Sequence, residues 1–160
     1  MSKKTEVGRK MQVRILSRDE LNMAMPLVWD VFCKYEAVDY PQSGKQAFKN
    51  AISSDEYLDM LTAYGAFEEE KLVGIIATRS EGRHVALFFV AGEYQHKGIG
   101  RKLWERLLAD NTADVITVHS SLFAKDIYQK LGFIPTAELQ EDGGIRYIPM
   151  EYKSPRIEVM

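Results

Sequence analysis

The chain has 160 residues, a formal net charge of −2, 46% hydrophobic residues and 28% charged residues. That is enough for one domain with an ordinary core, and it carries no basic excess of the kind that nucleic-acid binding requires. No apolar run approaches the roughly 18 to 20 residues of a membrane span, the first ten residues lack the apolar segment of a signal peptide, and the single cysteine excludes an intramolecular disulfide.

A cytoplasmic protein is therefore expected, with a disordered lead-in over residues 1–10, a single domain over 11–153 and a C-terminal tail over 154–160. Residues 12–16 alternate polar and apolar side chains, as a first strand would. Ser17, with Glu20 three positions on, reads as a capping box opening a helix at Arg18. Leu21, Met25, Val28, Trp29, Phe32 and Cys33 then follow helical spacing, and Cys33 reads as a small buried hydrophobe. Pro26 inside this pattern implies that the helix either starts with Pro26 in its first turn or is kinked there.

Residues 36–44 read as a loop, 45–52 and 56–61 as short helices, and 63–67 and 72–78 as antiparallel strands about a charged turn. Residues 85–90 form a continuous apolar run rich in β-branched and aromatic side chains, which predicts a strand buried on both faces. After a polar connection, Ile99, Leu103, Leu107 and Leu108 give a helix one apolar side, with Arg101, Lys102 and Glu105 opposite. Residues 114–118 predict a further buried strand. Ser120 or Ser121 then caps a helix ending at Leu131, with Gly132 in the left-handed position beyond it. Residues 133–137 and 146–152 read as a last hairpin around 141–144. The order β-α-α-β-β-β-α-β-α-β-β is mixed α/β, with an antiparallel meander before the glycine-led helix.

Chemistry concentrates at the start of that helix, Gln95-His96-Lys97-Gly98-Ile99-Gly100-Arg101. A helix N-terminus presents N–H groups without intrahelical partners and the positive end of the aligned peptide dipoles. Two glycines let a ligand approach them, and Lys97, Arg101 and Lys102 add positive charge, a combination suited to a pyrophosphate. A P-loop is excluded by the spacing, and a dinucleotide fingerprint by Leu103 where its third small residue would stand.

Gln95-x-x-Gly98-x-Gly100 resembles the acetyl-CoA signature Q/R-x-x-G-x-G/A of the GNAT superfamily of N-acetyltransferases. Residues 121–133, SLFAKDIYQKLGF, resemble that family's second motif, N-x-x-A-x-x-x-Y-x-x-x-G-F, through Ala124, Tyr128, Gly132 and Phe133, with Ser121 where Asn is common. The resemblance covers residues 12–152 and implies the GNAT acyl-CoA N-acyltransferase fold, with acetyl-CoA as co-substrate. It implies that the main chain of Phe88, Phe89 and Val90 pairs with the pantetheine arm. It also implies that N–H groups from Gln95, His96, Lys97, Gly98, Ile99, Gly100 and Arg101 hold the pyrophosphate, and that Ser121 and Tyr128 contact the cofactor. The fourth and fifth strands of such a fold splay at a β-bulge, where the acetyl group enters and a main-chain N–H polarises its carbonyl.

Acetyl transfer needs a base for the amine and an acid for the leaving thiolate. Tyr128 is the expected general acid, the other reading being a core aromatic under Phe133. No carboxylate stands between residues 85 and 90, so the candidate base is His119 at the end of the fifth strand, which could equally be a polar strand-end residue. His84, Glu93 and His96 are read as strand-start, surface and solvent-facing residues. The histidines have no metal-ligand spacing, so no metal is expected. Trp29, Phe32, Tyr35 and Tyr64, with Tyr40 and Tyr57, could line an acceptor pocket or form core. Asp39, Asp55, Glu56 and Asp59 could draw a cationic substrate or form a solvated acidic face.

The expected reaction is direct transfer in a ternary complex to a small-molecule or peptide amine, with no nucleic-acid or membrane partner and pairing of two copies through the last strands as a possible dimer. The alternative is a non-catalytic acyl-CoA sensor on the same fold.

Overall fold

The computed structural model describes residues 10–155. The expected lead-in and tail lie outside them, apart from Lys10, Ser154 and Pro155. Strands are β1 Met11–Ile15, β2 Thr62–Glu68, β3 Lys71–Arg79, β4 His84–Val90, β5 Val115–Ser120, β6 Ile134–Pro135, β7 Gln140–Asp142 and β8 Ile145–Lys153; helices are α1 Arg18–Val31, α2 Gln42–Ile52, α3 Asp55–Asp59, α4 Ile99–Asp110 and α5 Lys125–Leu131. One mixed sheet runs β1-β2-β3-β4-β5-β8-β6, with β7 paired to β8. The first four strands form the expected antiparallel meander, β4 and β5 are parallel, and β5 and β8 are antiparallel.

The capping box is present. Ser17 Oγ accepts from the Glu20 N–H at 3.2 Å, and the Glu20 carboxylate accepts from the Ser17 N–H at 2.9 Å. Arg14 grips the same carboxylate at 2.7 Å, and these bonds hold the Glu20 carboxyl down near 2. Of the two alternatives for Pro26, the helix does not start there. It begins at Arg18 and runs on through Pro26, whose missing N–H removes one rung of the ladder.

The sheet carries a core on each face. On one, α1 buries Leu21, Ala24, Val28 and Val31 against Ile75, Ala77, Leu87 and Phe89. On the other, α4 buries Ile99, Leu103, Trp104 and Leu107 against Val73, Ile76, Val118 and Met150. Each of the larger aliphatic and Phe side chains among them contributes about 1.5–3 kcal/mol by leaving water.

Three expectations are corrected. First, β4 packs against both cores but is fully buried only at Val85, on the α4 face, and at Leu87 and Phe89, on the α1 face, whereas the residues between them are half-buried. The reason is that β4 meets β5 at only two positions, His84–Thr117 and Val85–Val118, and beyond them the strands part. The β3–β4 register shifts by one residue there and leaves Ala86 as a β-bulge.

Second, Cys33 is exposed rather than buried. After Val31 the helix widens into a π turn, Phe32–Glu36, with the Ala37 N–H bonded to the Phe32 carbonyl. Cys33 lies off the face that Leu21, Val28 and Phe32 define, and the extra residue in the turn carries Glu36 round to the sheet side. Third, the last hairpin is split: β6 pairs with Glu151 and Met150 of β8, and the separate strand β7 pairs with residues 145–147.

The β7–β8 turn, Gly143-Gly144, has φ of 59° and 85°, a region that L side chains adopt only with strain. It presses on the start of α2, so that a Cβ added at Gly144 would lie 2.5 Å from Ser43 Oγ and one at Gly44 would lie 2.6 Å from the Gly144 carbonyl oxygen.

Candidate active site

Where β4 and β5 part, a cavity of about 250 Å3 opens on the α1–α3 face of the sheet. Its walls come from the π turn (Phe32, Glu36), from α2 and α3 (Phe48, Tyr57), from the strand ends (Arg79, His84, Ala86, Phe88, His119) and from the second motif (Ser121, Ala124, Tyr128). Phe32 and Phe48 stack at 4.2 Å, and Tyr40 meets the edge of Phe32 at 5.1 Å, which makes one wall aromatic.

Glu36 is the one carboxylate lining this cavity among the described residues. Burial pushes it up to about 7, against a hydrogen bond from Ser121 that acts in the other direction. It lies close enough to Tyr128 and Tyr40 for its charge to raise both. Sequence reasoning missed it because residues 36–44 read as loop. The wide turn that aims it inward has no composition signal.

Tyr128 is buried between Phe88 and Phe133, with ring centroids 5.8 and 5.2 Å away. No buried side-chain oxygen or nitrogen among the described residues lacks a partner. Tyr128 forms part of the cavity wall. Burial, and then the Glu36 charge, push the phenol far above its usual range, so it stays protonated. Ser121 Oγ accepts from the Ala124 N–H at 3.1 Å, which orders the turn before α5; that helix starts only at Lys125, later than expected, and ends at Gly132 with φ 107°.

His84, His119 and Arg79 stand together at the other end of the cavity. Arg79 and His84 are cross-strand partners in β3 and β4, His84 is opposite Thr117 in β5, and His119 lies two residues on, so all three side chains share one face. The two rings meet edge-on at 4.8 Å, His84 Nδ1 lies 2.8 Å from Thr117 Oγ1, and His119 stacks on Tyr147 at 4.2 Å. Burial, then Arg79, then His119 push His84 down to about 4. Burial and then Arg79 lower His119, with Asp142 opposing. Both rings are neutral at pH 7, and His119 is exposed at the cavity rim.

Of the four aromatic residues expected at the acceptor pocket, only Phe32 lines it. Trp29 packs behind it at 5.6 Å, and Tyr35 packs against Phe123 at 5.3 Å. Tyr64 faces the opposite side of the sheet and donates to Asp110 at 2.8 Å, because strand alternation gives the α1 face to Ala63 instead. Tyr40 and Tyr57 do line the cavity. Asp55 and Asp59 pair with Arg18 at 3.1 and 2.7 Å.

Beside the cavity lies a second feature, built from main chain. Phe88 and Phe89 pair with β3 on one side and have no ladder partner on the β5 side. Gln95 folds back to donate to the Val90 carbonyl at 2.9 Å. Gly98 caps α4 at φ 84° with no side-chain cap, and the first helical bond runs from the Lys102 N–H to the Gly98 carbonyl at 3.1 Å. The N–H groups of Ile99, Gly100 and Arg101 are therefore left without intrahelical partners. A Cβ on Gly98 would meet nothing within 4 Å, and one on Gly100 only Phe88 at 3.6 Å. Open space lies in front of these groups, as an approaching anion requires. The Arg101 guanidinium turns away, donating to the Lys130 carbonyl at 3.0 Å.

The family model described as an acetyltransferase (GNAT) domain matches residues 36–154. The chain belongs to the GNAT acetyltransferases. Solved GNAT structures share its fold. A GCN5-related N-acetyltransferase from Rhodopseudomonas palustris superposes with a TM-score of 0.74 at 16% identity, covering 89% of this chain and 95% of the other. The PaiA N-acetyltransferase of Thermoplasma acidophilum, solved in complex with coenzyme A, gives 0.65 at 20% identity over 91% and 99%. Tetrahymena GCN5 gives 0.60 at 18% identity over 89% and 95%. No curated protein sequence matches. No helix among the described residues of this GNAT chain is long and apolar enough to cross a membrane.

Proposed function

We propose that this GNAT domain moves the acetyl group of acetyl-CoA directly to an amine held in the β4–β5 cavity. The observation that carries the reading is the coincidence, at one splay, of an open strand edge, a ligand-accessible helix N-terminus and a cavity holding a carboxyl near 7 beside a protonated phenol.

Main-chain groups of Phe88, Phe89 and Val90 hold the pantetheine arm as an added strand. N–H groups from Gln95 to Arg101 hold the pyrophosphate, with Lys97 supplying charge. Glu36 takes the proton of the incoming amine, and its value near neutrality suits a base that must also release that proton. His119, neutral at the rim, is a second group able to receive it through water. The amine lone pair forms the new C–N bond to the acetyl carbon. The C–S bond then breaks and its electron pair goes to sulfur. Tyr128, kept protonated by burial, donates its hydrogen to that sulfur; the newly bonded nitrogen then gives its second proton to Glu36, which has released the first to water and returns this one to Tyr128.

Calorimetric titration of acetyl-CoA, beside ATP and NAD, followed by an amine screen for CoA thiol release, tests this. Binding of acetyl-CoA alone, with amine-dependent release, is expected. Failure to bind acetyl-CoA removes the reading. Binding without release for any amine favours an acyl-CoA sensor on the same fold.

A further inference from the structure

The two ends of the cavity differ in charge, and the difference constrains the acceptor. At the thioester end stands Glu36, beside Tyr128 and Ser121. At the other end, Arg79 lies close enough to Tyr57, His84 and His119 to shift each of them. Among the described residues the Arg79 guanidinium makes no ion pair or hydrogen bond, although its side chain is half-buried in the cavity wall. A guanidinium stays charged at any working pH. Several other arginines meet carboxylates: Arg14 pairs with Glu20, Arg18 with Asp55 and Asp59, and Arg106 with Asp110. Holding an unpaired, partly desolvated cation is costly unless an anion meets it there.

We infer that the acceptor is a small zwitterion, a primary amine that also carries a carboxylate, with the carboxylate on Arg79 and the amine facing Glu36. The inference rests on the acetyltransferase reading above and deepens it.

Arg79 offers the carboxylate a planar fork of donors. His84 and His119 stand beside it as neutral rings, able to add hydrogen bonds without adding charge. The cavity, at about 250 Å3, must also admit the acetyl group. It is smaller than the roughly 300–1,000 Å3 of pockets for drug-sized ligands, which suits one amino-acid-sized molecule. A polyamine fits poorly, because its far end would carry a second positive charge against Arg79. The acidic residues expected to welcome such a cation stand elsewhere, since Asp55 and Asp59 are spent on Arg18.

The test is acetyl-CoA-dependent thiol release with matched acceptors: a set of amino acids with amines at different distances from the carboxylate, their methyl esters, 2-aminoethylphosphonate as a phosphorus-centred anion, and spermidine. The expected result is at least one free acid preferred over its ester by about 30-fold or more in kcat/KM, the scale of one charge pair in a partly desolvated site. In Arg79→Gln the acid-to-ester ratio should collapse toward one, while Arg79→Lys should keep part of it. Acetyl-CoA affinity serves as the check that each variant is folded. Preference for the phosphonate over every carboxylate would replace the carboxylate and overturn the proposal as stated. Equal use of acids and esters, preference for spermidine, or an unchanged ratio in Arg79→Gln would overturn it while leaving the acetyltransferase reading intact. Absence of acetyl-CoA binding would remove both.

Discussion

Replacing Glu36 by Gln should cost activity and add stability, and both effects follow from one number. The carboxyl sits near 7 in the folded chain against an ordinary 4.5. Between those pH values the folded chain keeps a proton that the unfolded chain has released, so stability falls as pH rises from about 4.5 to about 7. A displacement of that size corresponds to at most about 3 kcal/mol, because each pH unit is worth about 1.4 kcal/mol. Glu36→Gln has no proton to lose. Denaturant melts of the two proteins should therefore diverge in the variant's favour by up to about 3 kcal/mol between pH 4 and pH 8. The same protonation silences the base below neutrality, so wild-type kcat/KM should fall about tenfold per pH unit below 7, in addition to the limb of the acceptor amine. Glu36→Gln should lose that limb and about 10²–10⁴ in rate. A variant with activity within twofold of wild type, or a stability difference that does not change with pH, would refute the assignment.

Tyr128→Phe should lower kcat about 10- to 100-fold with acetyl-CoA affinity nearly unchanged, because the ring packing against Phe88 and Phe133 survives; full turnover would reduce Tyr128 to a core residue. Gly98→Ala places a Cβ in open space but at φ 84°, so thermal melting should show a loss of about 1–2 kcal/mol. Calorimetry of the same variant should show weaker acetyl-CoA binding, and an unchanged affinity would take Gly98 out of the phosphate cradle.

The strand and glycine-led helix of the proposed cofactor half were legible in the sequence because their signals are local. A buried strand run, Gln95-x-x-Gly98-x-Gly100 and the Tyr128–Phe133 motif each lie within one short stretch of chain. The capping box at Ser17 and Glu20 was readable for the same reason. The acceptor half was not. The inward turn of Glu36 depends on a single π turn that helical periodicity cannot register. The meeting of Arg79, His84 and His119 depends on the registers of three strands. Tyr64 shows the limit most simply, since a one-residue choice of strand phase decides which face an aromatic side chain serves.

The contact between the Gly143-Gly144 turn and the start of α2 bears on the order in which the molecule assembles. Gly44 and Gly144 are 100 positions apart, whereas the whole cofactor half lies within residues 84–133. Closing the longer loop costs more chain entropy before any contact rewards it, so the acceptor chamber should be the later structure to form. The same asymmetry makes it the earlier to open, since release of one glycine turn frees the start of α2, whose Ala47, Phe48 and Ala51 line the cavity, without touching α4 or the β3–β4 ladder. Acceptor exchange and local unfolding would then share a path at this end of the sheet, while the end proposed to hold the cofactor stays closed.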